Sequence, residues 1–254
     1  MSIDRLYKYG KLTKYSEQLF TTGSIWFSTA EKLNDPFECA PNFQLTHNPE
    51  KIMSSIFRGL QHRYPHLLVN DLLEMAANIY NEDRHRDKEV WKNMGEDMIN
   101  VFRKKVGLYC LSERRDSILM WSHYADEHLG YCIGFTATDY TPMFGRAQKV
   151  DYSEKYPLID HYVTPIEEQA KLAFQTKFTD WKYEKEWRII EHQNGSGVQS
   201  YPHELMESVT FGLRMEKKEK ELIRSWTNQR KTPVRFYESM QGKTKFELTF
   251  NEVT

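Results

Sequence analysis

The sequence predicts an α+β fold, a mainly antiparallel two-sheet core with a helical insertion, on three observations. Short segments of alternating apolar and polar residues, rich in β-branched and aromatic types, occur towards both ends of the chain. Between about residues 49 and 105 the apolar residues instead recur three or four apart, the period of one buried helical face. Most neighbouring strands are joined by short or irregular connections rather than regular βαβ units, which favours antiparallel pairing. Six tryptophans, from Trp26 to Trp226, spread core-forming side chains over the 254 residues, so residues 1–254 are read as a single domain.

In order, the elements begin with a strand over Arg5 to Tyr9, a helix over Leu12 to Phe20 and, after Gly23, a strand over Ser24 to Ser28. Gly23 suits a helix C-terminus because it tolerates a left-handed backbone. The insertion is read as three helices carrying Ile52, Ile56, Leu60; Leu68, Leu72, Leu73; and Val90, Met94, Met98, Val101, broken near Pro65 and around Asn81 to Asp87. Strands follow at Gly107 to Ser112, Gly130 to Phe135 and Ala147 to Tyr152, with a helix at Ser117 to Glu127 for which Asp116 is a capping residue. A helix at Pro165 to Phe174 precedes strands at Glu186 to Glu191, Ser208 to Leu213, Val234 to Ser239 and Lys245 to Phe250, with a last helix at Lys217 to Asn228.

Composition narrows the function. Thirty-five basic against thirty-six acidic residues leave no global field to attract nucleic acid or an anionic membrane. No apolar run has the length of a membrane span, and Met1 to Lys14 lacks the features of a secretory signal, so a cytoplasmic protein is expected. Cys39, Cys110 and Cys132 are odd in number and widely spaced, which suits reduced, buried thiols. Cys39 is the one weighed as a nucleophile, against the acidic neighbour Glu38.

Three segments carry candidate chemistry. In Tyr183-Glu184-Lys185-Glu186-Trp187-Arg188, strand alternation would put Glu184, Glu186 and Arg188 on one face. Facing a cleft, two carboxylates and a guanidinium could stabilise a developing cation, position a hydroxyl or bind a metal; facing water, they are an ordinary charge-paired surface. In Asn34-Asp35-Pro36-Phe37-Glu38, Pro36 stiffens the loop, Phe37 is expected to anchor it to the core, and Asp35 and Glu38 are expected to stay available. The alternative is a plain turn. The third segment joins Ser112 to Met120-Trp121-Ser122-His123-Tyr124-Ala125, where Trp121, Tyr124 and Ala125 share a helical face and His123 lies one position around it. That face is more often core than site, and a lone His is a poor metal ligand. No phosphate loop, dinucleotide Gly-rich turn or paired Cys motif is present.

Together with Tyr7-Lys8-Tyr9, Ile25-Trp26-Phe27-Ser28, Gly130 to Phe135 and Lys177 to Trp181, these segments closely resemble a widespread bacterial family catalogued only as a domain of unknown function. The order of an N-terminal Tyr-Lys-Tyr strand, a strand ending in Ser112 and a late Glu184-Lys185-Glu186 is also similar to the layout of ADP-ribosyltransferases, although Tyr7, Lys8 or Tyr9 stands where that family has Arg or His. This second resemblance implies an NAD-dependent ADP-ribosyltransferase or NAD glycohydrolase, a toxin or defence effector, with NAD as substrate and a protein or nucleic-acid acceptor. It implies Glu186 at the ribose, Glu184 towards an acceptor and Ser112 near the ribose. Tyr124 or Tyr9 would stack on nicotinamide, with Tyr7, Lys8, His123, Asp35, Glu38 and Arg188 as binding or phosphate-facing groups. Competing readings are a non-catalytic ligand- or partner-binding module and a metal-dependent phosphodiesterase using Asp35, Glu38, Glu184 and Glu186.

Overall fold

A computed structural model describes residues 3–44, 46, 48–82, 88–160 and 162–253, without the side chains of 88–92, 94 and 98. Val90, Met94 and Met98 of the expected helical face, and residues 83–87 of the expected break, therefore lie outside the described parts.

The chain opens with β1 (Arg5–Gly10) and α1 (Ser16–Thr22), which ends at Gly23 in the left-handed region with φ 71°. β2 (Ser24–Thr29), a short 3₁₀ turn and β3 (Asn42–Gln44) lead to the insertion, α2 (Pro49–Arg63), α3 (Val69–Asn81) and α4 (Lys88–Lys105). Asn48 caps α2 by accepting from Lys51 N, and Pro49 occupies a first-turn position where no intrahelical donor is lost. Leu60 packs against Leu72 and Ala76. Leu68 and Leu73, placed on the buried face by the periodicity, are exposed, because α3 turns Leu72 and Ala76 inward instead.

Next come β4 (Gly107–Ser112), α5 (Ile118–Tyr124), β5 (Tyr131–Thr136), β6 (Gln148–Lys149), β7 (Asp151–Ser153) and β8 (Leu158–Asp160). Ser117, not Asp116, caps α5, since Asp116 pairs with Arg114. The rest of the chain forms α6 (Ile166–Gln175), β9 (Thr176–Phe178), β10 (Glu186–Glu191), β11 (Gly197–Ser200), β12 (Met206–Phe211), α7 (Lys217–Thr227), β13 (Arg235–Gln241) and β14 (Leu248–Val253). The expected elements are present with ends moved by a few residues, except that the strand expected over Ala147 to Tyr152 is split into β6, which pairs with β10, and β7, which pairs with β9. The short strands β3, β8, β9 and β11 were not legible because so few residues carry no period.

The fold is α+β, with a mixed, mostly antiparallel sheet. Among the described residues, β12–β13, β3–β8 and β7–β9 are the parallel pairs. Among the described residues ten strands form one sheet that forks, and β3–β8 and β7–β9 form two further two-stranded sheets. β10 covers the whole of one edge of β4. On the other edge β1 pairs at Ser112 while β2 pairs at Leu108 and Gly107. The two branches, β1-β5-β12-β13-β14 and β2-β11, therefore part beside Tyr109 to Leu111. A parted ladder leaves backbone acceptors to be satisfied otherwise, and Lys8 Nζ reaches Cys110 O at 2.8 Å.

One face of the sheet buries Leu6, Phe27, Ile133, Phe135, Ile189 and Val209 with α1 and α7, through Phe20 and Ile223. On the other, Tyr9, Cys132 and Trp121 form one cluster, and Leu108 with Ile159 and Phe174 forms a second. The candidate site lies between those two clusters.

Candidate functional site

At the fork a cleft of about 260 Å³ opens, with Tyr7, Trp26, Ser28 and Cys110 from the strands below, Met120 and Tyr124 from α5, and Asn34 and Glu38 from the loop after β2. Its base is a buried charge cluster. Lys177 Nζ lies 2.5 Å from Glu184 Oε2, 2.9 Å from Glu186 Oε2 and 3.1 Å from Glu38 Oε1. Arg188 spends all its donors on the protein: Nε and Nη2 on Glu186 at 2.7 and 2.9 Å, Nη2 also on Glu38, and Nη1 on Phe174 O at 2.9 Å and Cys39 Sγ at 3.9 Å.

Glu184 and Glu186 converge here, but not by strand alternation. Glu184 ends a 3₁₀ segment, Lys185 takes a left-handed conformation at φ 48°, and the strand begins only at Glu186. Ser112 Oγ donates to the Glu184 carbonyl at 2.5 Å and accepts from Arg114 N, so it positions the Glu184 backbone rather than facing the cleft. The two carboxylates differ in environment. Glu186 is fully buried; desolvation favours its protonation, but Arg188 and Lys177 outweigh it and hold the carboxyl well below the usual range. Glu184 is shifted upward, by burial first and by the Glu186 charge, against the opposing pull of Lys177 and Tyr124. Burial likewise opposes the charge on Lys177, yet Glu186, Glu38 and Glu184 keep its ammonium above the ordinary lysine range.

Tyr124 Oη donates to Glu184 Oε1 at 2.5 Å and accepts from Asn34 Nδ2 at 3.0 Å, so the chain Asn34, Tyr124, Glu184, Lys177 runs from the exposed rim to the base.

Several expected roles are corrected. Phe37 does not anchor its loop: it is 66% exposed, while Asp35 and Glu38, expected to stay available, are 6% and 3% exposed. Asp35 accepts from Trp181 Nε1 and Phe37 N, and Glu38 pairs with Lys177 and Arg188, so the carboxylates rather than the ring tie the loop down. The Glu-Arg face is buried, not solvated. Arg188 has no donor left for a phosphate. Tyr9 packs edge-on against Trp121 and donates to Arg114 O, and exposed His123 pairs with Tyr183. Cys39 is buried and its thiol is pushed up to about 11 by that burial, which disfavours the thiolate. Lys177 was missed as a site residue, since the three-residue β9 gives no period and only its buried carboxylate partners reveal it.

The cluster makes stability sensitive to acid. A depressed carboxyl stabilises the fold above the unfolded glutamate value of about 4.3 and loses that contribution as pH falls through its folded value. Glu186 is such a group; Glu184, shifted the other way, offsets part of the loss on protonation. The melting temperature is expected to fall on acidification below about pH 4.5, and a flat profile from about pH 5 to about pH 3 would contradict the burial of Glu186 as an ion pair.

Residues 120–189 match the family model described as Protein of unknown function (DUF2971). This bears out the resemblance to a family of unknown function. The matched stretch runs from Met120 on α5 to Ile189 on β10 and holds Tyr124, Lys177, Glu184, Glu186 and Arg188; the Asn34–Glu38 loop lies outside it. No curated protein and no solved structure matches the chain. Among the described residues, no helix is long and apolar enough to cross a membrane.

Proposed function

We propose that the forked-sheet cleft breaks the N-glycosidic bond of NAD, as an ADP-ribosyltransferase or NAD glycohydrolase, with Tyr124 and Glu184 as its reacting pair. The observation that carries this reading is the Tyr124–Glu184 hydrogen bond at the base of the cleft, with Glu184 shifted upward and charge-balanced by Lys177. Departure of nicotinamide leaves an oxocarbenium-like ribose, which a preoriented carboxylate stabilises more than the ground state. Glu184 supplies that charge, while Tyr124 Oη, its proton directed at Glu184, holds a ribose hydroxyl. An upward-shifted carboxylate is also the better base towards water or an acceptor hydroxyl. Glu186, saturated by Arg188 and Lys177, acts as a positioning residue. Tyr7 and Trp26 offer aromatic faces to the nicotinamide ring. A cleft below the roughly 300–1,000 Å³ typical of small-molecule sites takes one ring with its sugar and leaves the rest of a dinucleotide outside.

The metal-dependent reading fits less well, because it needs several carboxylates at once, and Asp35 is held by Trp181 and Phe37 N while Glu38 and Glu186 are already paired with Lys177 and Arg188. The same internal compensation favours, as a second reading, a cleft that binds without reacting. Nicotinamide release from NAD decides between them. Release that survives a chelator and drops by about one to two orders of magnitude in Tyr124→Phe is the expected result. An NAD-induced rise in melting temperature without release would leave the binding reading, and neither effect would remove NAD altogether.

A further inference from the structure

A second cavity, of about 550 Å³, shares Asn34, Glu38 and Lys177 with the cleft and is otherwise lined by the rest of the 35–40 loop and the segments 153–157 and 173–181. Three aromatic side chains on its wall are exposed, Phe37 at 66%, Tyr156 at 47% and Phe178 at 46%, with Trp181 beside them. Water-exposed rings gathered around one depression are unusual unless something covers them. Its lining is acidic on balance, with Asp35, Glu38, Glu154 and Asp180 beside Lys155 and Lys177, and although Glu38 is paired with Lys177 and Arg188, Glu154 and the exposed Asp180 add carboxylate charge. Among them, Glu38 is 3% exposed and its Oε1 accepts no hydrogen bond from the described residues, Lys177 standing 3.1 Å away without directing one at it.

We propose that this cavity is a binding site for a flat organic cation, seated against Phe37, Tyr156 and Phe178 with its charge towards the carboxylates. Ring faces carry negative potential and attract a desolvated cation, and the excess carboxylate charge adds to that attraction while disfavouring an anion of the same shape. The cavity volume lies within the usual range for small-molecule sites, and its wall combines apolar and aromatic surface with polar side chains, which is how such sites combine affinity with orientation. The cavity shares Asn34, Glu38 and Lys177 with the cleft, but none of its aromatic wall residues lines the cleft, so the cation site is tested through those rings apart from the NAD reading.

Titration of the full chain with thioflavin T, a flat cationic dye, beside the aromatic anion 8-anilinonaphthalene sulfonate tests it. Thioflavin T is expected to bind one site, at least about tenfold more weakly in the double variant Tyr156→Ala/Phe178→Ala and several-fold more weakly in Asp180→Asn. Both sets of substitutions are at exposed positions, so folding is retained, and far-ultraviolet circular dichroism verifies it. Trp26→Ala, on the cleft side, is expected to leave dye affinity unchanged. Absence of thioflavin T binding, equal or tighter binding of the anion, unchanged affinity in the double variant, or loss in Trp26→Ala would overturn the proposal.

Discussion

Lys177→Met is expected to lower the melting temperature by on the order of 10 °C. Lys177 touches three carboxylates inside the fold. Removing one member of a buried ion network costs roughly 3–5 kcal/mol, because the surviving charges stay desolvated without a partner, and in a chain of this size each kcal/mol is worth about 2–4 °C. With ordinary stabilities of about 5–15 kcal/mol, such a loss is a large fraction of the whole. Arg188 cannot take over, since its donors are already committed. Adding Glu184→Gln to Lys177→Met should restore part of the loss by removing one unpaired charge, and the double-mutant cycle measures that coupling. A Lys177→Met melting point within a degree or two of wild type would mean that water reaches the cluster and that it is not the buried centre described above.

In nicotinamide release, Glu184→Gln is expected to lose about 10²–10³-fold in kcat, whereas Glu186→Gln should act mainly through stability and retain most of the turnover of its folded fraction. The difference follows from geometry. Glu184 is hydrogen-bonded to the cleft-lining Tyr124, while both Glu186 oxygens are held by Arg188 and Lys177. Glu184 must be ionised to face a cation, so the acid limb of the wild-type rate profile should lie above the ordinary carboxylate value of about 4.3, in keeping with its upward shift. A stable Glu186→Gln protein without turnover, beside an active Glu184→Gln, would return the reacting role to Glu186. The measurement combines rates per folded molecule with melting temperatures, so a folding defect is not mistaken for lost chemistry.

How much of this was legible beforehand depends on the range of the interaction that specified it. Gly23, the start of the helical insertion near residue 49, and the 186–191 strand were readable because a cap or a period acts over a few residues. The candidate segments were readable as segments, since unusual residue types cluster in Asn34–Glu38, Met120–Ala125 and Tyr183–Arg188. What each side chain does within them was not. Phe37 and Glu38 exchanged the roles expected of an apolar and a charged residue, because Glu38 finds Arg188 some 150 positions away in sequence while Phe37 stays exposed.

The sequence by itself determined the α+β class, the helical insertion, the near-neutral charge and the segments in which polar chemistry concentrates, all properties of local periodicity and composition. Only the tertiary structure decided that β1 and β2 part along β4 to open a cleft, that Lys177 joins three carboxylates, and that Glu184 rather than Glu186 is linked through Tyr124 to the cleft. Strand pairing and buried ion pairs are settled between residues distant in the chain, through desolvation and the charges that compensate it, and no local pattern encodes which carboxylate bonds to Tyr124 and which to Arg188.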